Sequence, residues 1–475
     1  MTRYLIGIDN GSQSTKVTIF DENGAVVSQG RRALRPSHTP RPGVVEHPDD
    51  DLWSSVGAAC REAMAGFDGD PADIAGAGLC TIRFCRALLR ADGTLAQPVL
   101  SWMDERVSRP YVHEDDSVAR VTTSSGYITH RLTGEFRDTA ANYQGMWPID
   151  TDTWQWSKDP QVRENAGIPA EMLFDLVMPG ETLGRVTEAA AEHTGLPRGL
   201  PVVATANDKA VEALGCGLRH PGTLLISLGT YIASMTTGDR NITDAKGFWT
   251  NFACVPHAYL YESGGIRRGM WTVSWLRDLL GEEVVARARE TGQGVEEYLN
   301  AGAAQVPAGS DGLMAVLDWL APVEAPFRKG AFLGFDGRQG RFHLYRSVLE
   351  AIALTMYDRA STMADGLGTG FERVIVSGGG AGSDVMMGII ADVFGTPTAR
   401  TAVNNAAGLG AALCAGVGLG RFADVDEAVD AMVSVDVEFR PDSINHELYA
   451  RQHEVYRDIT RHTDEVFRRS ARIFG

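Results

Sequence analysis

The stretch 4-YLIGIDNGSQSTKVTIF-20 decides the fold. A short apolar run at residues 4–8 ends in a glycine-containing polar turn, and a second strand-like run at 16–20 follows it. The turn Asp21-Glu22-Asn23-Gly24 and a third strand near residues 25–30 extend the opening into an antiparallel meander. A strand running straight into a glycine turn lets the backbone approach a phosphate closely. The unit returns as 224-LLISLGTYIASMT-236, a short echo of the first. It returns again where residues 374–376 enter 377-SGGGAGS-383 ahead of a helical run at 385–394. The chain's 53 glycines gather in these turns and in 406-AAGLGAALCAGVGLG-420, not in long polar linkers.

Between these units lie helical patterns starting at Pro48-Asp49-Asp50-Asp51 and spanning 127–132 and 348–363. Strand-like runs occupy 74–79 and 201–206, the second ending at Asn207-Asp208. The last 30 residues read as a solvated helix. A length of 475 residues calls for two large α/β domains, 1–220 and 221–475, joined near His220-Pro221-Gly222. The formal net charge, 44 − 61 = −17, argues against a general nucleic-acid or membrane-surface binder. No run of about 18 apolar residues is present to span a bilayer, and the opening MTRYLIGIDNGS carries no cleavable signal. Six cysteines are too sparse for a disulfide framework, and Cys80 and Cys85 lack a second pair or nearby His for zinc. A reduced, cytoplasmic enzyme is expected.

No G-x-x-x-x-G-K-[ST] sequence, serine nucleophile elbow or H-E-x-x-H is present. What remains is a nucleotide held between two lobes, its phosphates near both hairpins and its base on the third turn. Asp9 and Asp208 both stand at strand ends. Such residues often serve as turn or cap residues; the glycine layout around them points also to Mg²⁺ binding and general-base work.

Ordered motifs along nearly the whole chain resemble the FGGY carbohydrate kinases. These are IGIDNGSQSTKVTIFD, PGVVEHPDDDLW, SWMDER, RLTGEF, NDKAVEALGCG, LLISLGTYIA, VIVSGGGAGSDVMMGIIADVFG and AAGLGAALCAGVGLG. Within the family the chain looks similar to a poorly characterised subgroup of sugar kinases. The resemblance implies a two-lobed, actin-like (ribonuclease H-like) α/β fold with ATP in the interdomain cleft. It implies transfer of the γ-phosphoryl group of MgATP to a sugar, polyol or sugar acid, with Asp208 as general base and Asp9 holding Mg²⁺. Gly11, Ser12, Gln13, Ser14 and Lys16 would meet the phosphates, and Gly229 and Thr230 the γ-phosphate from the other lobe. Gly378, Gly379 and Ser383 would lie against adenosine; Arg83, Asp104 and Lys209 match sugar-side positions. Many members are homodimers.

The chain departs from the family pattern by carrying Lys209 where an amide or small residue usually follows the base. The segment between SWMDER and RLTGEF is also shorter, which withholds residues that commonly define the substrate. Arg83 and Lys209 either receive an anionic group of the substrate or pair internally with carboxylates such as Asp104 or Glu212. Two other readings share the fold: an actin-like ATPase that turns over without sugar, and a catalytically silent binding protein. The first has no need of the W-x-D-x-R segment, and the second no need of Asp9 and Asp208.

Overall fold

The computed structural model describes residues 3–322, 324–402 and 405–474. Strands β1 (Tyr4–Asn10), β2 (Ser14–Phe20) and β3 (Val26–Ala33) form the expected meander, with Asp9 opposite Lys16. They join β4 (Ile74–Thr81), β5 (Thr182–Arg185) and β6 (Pro201–Ala204) in a six-stranded sheet ordered β5-β6-β4-β1-β2-β3. A seven-stranded sheet follows from β7 (Thr223–Leu228), β8 (Ile232–Gly238), β9 (Phe248–Phe252), β10 (Tyr259–Ser263), β11 (Arg373–Ser377), β12 (Thr398–Thr401) and β13 (Val435–Phe439). Its order is β9-β10-β8-β7-β11-β12-β13.

From β3 to β5 the first sheet pairs antiparallel, antiparallel, parallel, parallel, antiparallel. From β10 to β13 the second sheet repeats that series. The short sequence echo is therefore the visible part of a duplicated architecture.

Strand alternation sorts the side chains of the first sheet. Ile6, Ile8, Val17 and Ile19 pack with Leu52 and Val56 of α1 (Asp51–Ala65) and Tyr127 and Ile128 of α2 (Ser124–Thr133). The opposite face, with Leu5, Gly7 and Asp9, is left for a helix of the second half. That face is covered by α6 (Ala406–Gly418), which α3 (Asp208–Gly215) crosses, whereas α4 (Arg341–Leu367), α5 (Asp384–Phe394) and the terminal α7 (Ser443–Phe474) pack within the second half.

Helix α6 belongs in sequence to the second half but lies on the first sheet. A Cβ on Gly7 would stand 1.9 Å from the Gly408 carbonyl oxygen, and one on Gly78 1.9 Å from that of Ala411. Helix α3 makes the reciprocal excursion and bonds to the ends of β7 and β11. Each half thus lends one helix to the other's sheet, and the two lent helices cross between them. Among the described residues, no helix is long and apolar enough to cross a membrane.

Candidate active site

Asp208 is the first residue of α3, four residues past the end of β6. Asn207 caps that helix by accepting bonds from the backbone N–H groups of Lys209 and Ala210, both at 3.1 Å. The cap fixes where the chain leaves the strand, and the helix N-terminus favours a carboxylate there. Asp208 keeps 28 % of its side chain exposed. Burial pushes its pKa above the ordinary carboxylate value, against the opposing pull of Arg83 and Lys209.

Asp9 lies at the end of β1 and is buried. Burial pushes its pKa up to about 6; Lys16 opposes the shift, and the charges of Asp208 and Glu212 add to it. The Cys80 thiol, 3.9 Å from Asp9 Oδ1, is a weak donor, so the carboxylate retains lone pairs. The turn after Asn10 is closed by the Gly11 N–H donating to the Ser14 carbonyl at 3.2 Å, with Ser12 and Gln13 exposed. Asn10 donates to Thr15 Oγ1 at 2.6 Å, while its buried Oδ1 has no partner.

The second turn is braced from behind. Gly229 and Thr230 offer their carbonyls to the N–H groups of Met270 and Gly269, at 3.1 and 2.8 Å, leaving the Thr230 side exposed. The third turn touches the second: Gly378 adopts φ +84°, and a Cβ there would come within 2.6 Å of the Leu228 carbonyl oxygen. A Cβ on Gly379 would meet nothing within 4 Å, so the open side of that turn can admit a ligand against bare backbone. Ser383 caps α5 and donates to Asn300 Oδ1 at 2.9 Å, a structural commitment that leaves only its other contacts for adenosine.

Both sugar-side cations are paired. Lys209 Nζ donates to Glu212 Oε2 at 2.8 Å and to Ser227 Oγ at 3.1 Å. Glu212 also accepts from Ser227 at 2.7 Å and from Ser377. Ser227 is the next-to-last residue of β7 and Ser377 the last of β11, each just ahead of a glycine turn, so one carboxylate on the base-bearing helix fastens the roots of both. Burial works against the charge of Glu212, but Lys209 and the two hydroxyls hold its pKa below the ordinary value. Arg83 forks onto Glu262, with Nη1 to Oε2 at 2.7 Å and Nη2 to Oε1 at 2.9 Å; Nη1 also donates to Asn251 Oδ1 at 3.1 Å.

Asp104 stands apart from this cluster. Its fully buried carboxylate accepts from Arg106 Nε and Nη2 at 2.8 and 2.7 Å and from the Val45 N–H at 2.8 Å. It therefore builds the loop of the W-x-D-x-R segment, and its bonding leaves it no described contact with Asp208, Arg83 or Lys209. Glu262, Asn251, Ser227 and Ser377 are the neighbours that the motifs did not single out.

Two family models match the chain: the N-terminal domain of the FGGY family of carbohydrate kinases over residues 4–113 and 110–215, and its C-terminal domain over 224–419. The chain belongs to the FGGY family of carbohydrate kinases. It is 49% identical over 469 residues to the uncharacterized sugar kinase YgcE of Escherichia coli K12, covering 98% of this chain and 95% of that one. It is 26% identical to an autoinducer-2 kinase of Klebsiella pneumoniae, over 94% of this chain and 91% of the other. The crystal structure of a xylulose kinase from Rhodospirillum rubrum superposes with a TM-score of 0.83 at 26% identity, covering 98% of this chain and 100% of that one. The fold is the two-lobed actin-like one, and the protein is an FGGY carbohydrate kinase that uses ATP to phosphorylate a small carbohydrate.

Proposed function

We propose that Asp208 accepts the proton of the attacking hydroxyl and that the acceptor is a neutral polyhydroxyl compound, a ketose or polyol, not a sugar acid. The observation that carries the first part is the state of the Asp208 carboxylate. It is partly exposed, aimed from a capped helix start, and free of any hydrogen-bonded cation, since Arg83 Nε stays 3.9 Å away. A raised pKa strengthens it as a base at neutral pH. The hydroxyl oxygen attacks the γ-phosphorus of ATP as its proton passes to Asp208, the bond to the β-phosphate oxygen breaks, and ADP leaves. Positioning and charge neutralisation supply most of the catalysis in such a transfer.

Turns 11–14 and 229–230, with Lys16, suit the phosphates, and the open backbone at Gly378 and Gly379 suits adenosine. Mg²⁺ fits Asp9: an oxygen donor with spare lone pairs, buried beside one lysine, whose raised pKa a cation would relieve. Among the described residues no three metal-binding side chains cluster, which suits an ion held mainly by phosphates and water. When bound, Mg²⁺ neutralises charge on the phosphate oxygens. Asp9→Ala is expected to raise the Mg²⁺ concentration needed for half-maximal turnover by roughly tenfold or more while leaving sugar KM within about twofold. An unaltered Mg²⁺ dependence removes Asp9 from this role.

The neutral-substrate reading rests on the pairing of both cations. Lys209 is spent on Glu212 and Arg83 on Glu262. Around Asp208 the carboxylates of Asp9, Asp208, Glu212 and Glu262 outnumber the cations Lys16, Arg83 and Lys209. A carboxylate brought into this site would be repelled and left without a dedicated donor. A coupled ADP-release screen across ketoses, polyols and matching sugar acids tests it. Neutral compounds are expected to exceed their acid counterparts in kcat/KM by about tenfold or more, the scale of one lost charge-assisted bond. Preference for an acid, abolished by Lys209→Gln, overturns the reading; turnover that ignores every sugar favours the actin-like ATPase.

A further inference from the structure

Arg83 has two carboxylates within reach and is bonded to only one of them. Both Nη atoms lie on Glu262, in a parallel fork at 2.7 and 2.9 Å, and Asn251 tightens the arrangement by donating to Glu262 Oε2 at 3.1 Å while accepting from Arg83. Only Nε is turned toward Asp208, and at 3.9 Å it makes no hydrogen bond. Glu262 and Asn251 sit on β10 and β9 of the second sheet, whereas Arg83 follows β4 and Asp208 follows β6 of the first. Glu262 is wholly buried, and Arg83 keeps 16 % of its side chain exposed.

We propose that Glu262 is a positioning residue that holds Arg83 off Asp208 and so keeps the base free for the substrate hydroxyl. This rests on the reading of Asp208 as general base. A nearly buried guanidinium that loses its one bonded carboxylate is drawn toward the next carboxylate in reach. Without the Glu262 charge, its nearest remaining carboxylate is Asp208, already on the Nε side. An Arg83–Asp208 pair would fill the lone pairs that must receive the proton, and an adjacent cation typically lowers a carboxylate's pKa by about 1–3 units. The other charges facing Asp208 are Lys209 and Glu212 on its own helix, which neutralise one another, and Asp9 from β1. None of these takes the place of Glu262 as an anchor. Lys209 is itself a cation, and Glu212 is already bonded to Lys209, Ser227 and Ser377. Of the remaining carboxylates among the described residues, Asp208 alone lies within 4 Å of Arg83.

The test compares wild type, Glu262→Gln, Arg83→Gln/Glu262→Gln and Asp208→Asn, using the best neutral acceptor from the screen. Thermal unfolding serves as a control for folding. Glu262→Gln is expected to lower kcat by about 10- to 100-fold with the ATP KM within about threefold, and to move the acid limb of kcat/KM to lower pH. Removing the guanidinium as well is expected to recover at least about tenfold of the lost kcat and return the acid limb upward. An unmoved acid limb in Glu262→Gln, or a double variant no faster than the single, overturns the proposal. Should the single variant not fold, the double decides: kcat within about tenfold of wild type supports it, and kcat as low as that of Asp208→Asn overturns it. Asp208→Asn with near-wild-type kcat would instead remove the base itself, which separates failure of this inference from failure of the reading beneath it.

Discussion

Asp208→Asn is expected to lower kcat by roughly 10²–10⁴-fold while ATP binding persists, the span that one positioned general base contributes. The asparagine is nearly isosteric, and the position is held by features the substitution leaves alone: the Asn207 cap, β6, and the bond of Thr205 Oγ1 to the Leu79 carbonyl at 2.5 Å. The lost function is therefore proton acceptance and not shape. The wild-type pH profile carries a matching signature. Burial raises the Asp208 pKa, so kcat/KM should fall with acidification at a pH above the unperturbed aspartate value of 3.8. In the variant that limb should vanish from the residual rate. Titration of ATP by fluorescence or calorimetry, together with kcat across pH, checks both parts; near-wild-type kcat would take the role away from Asp208.

The sequence disclosed those parts of the site that are local. Glycine turns and a capped helix start are written in consecutive residues, so the meander at 4–20, the turn at 229–230 and Asn207-Asp208 were readable in place. Partnerships across the fold were not. Glu262 stands alone in the apolar strand 259-YLYES-263, and its guanidinium lies 179 residues earlier in the chain. A single acid in such a strand declares that a buried cation must exist, but not which one. Lys209 and Glu212 share a helix at i,i+3 and could be paired from sequence, whereas the serines they bind lie at or next to the ends of two other strands. Asp104 was drawn to the sugar side by its motif. Its nearer partner, Arg106, is two residues on, a spacing that also lets a buried aspartate fold back on its own loop. The duplication was legible only as an echo because strand direction, not sequence, is what the halves share.

The lent helices set the second large expectation. The run 406–420 reads as a glycine-rich helix, a composition that costs up to about 1 kcal/mol per glycine relative to alanine, so something must require those glycines. Packing does. A Cβ on Gly410 would stand 1.9 Å from the Val211 carbonyl oxygen and 3.0 Å from the Gly215 nitrogen; one on Gly215 would stand 1.8 Å from the Ala406 carbonyl oxygen. The obstacles are backbone atoms of the facing helix, which cannot rotate aside as a side chain can. Gly410→Ala is therefore expected to lose more than its helix propensity returns, a net destabilisation of roughly 2–3 kcal/mol or more, at the upper end for overpacking. Because α3 is the helix displaced and Asp208 is its first residue, kcat should fall together with the melting temperature, while a purely thermodynamic defect would leave the folded fraction fully active. Gly388→Ala in α5 is the matched control: its Cβ would meet nothing within 4 Å, and the same substitution there should leave activity unchanged and stability equal or raised by about 0.4–1 kcal/mol. Thermal unfolding and kcat measured on both variants decide the point. A Gly410→Ala enzyme as stable and as fast as Gly388→Ala would mean that the two helices do not cross this closely, and that the orientation of Asp208 is set elsewhere.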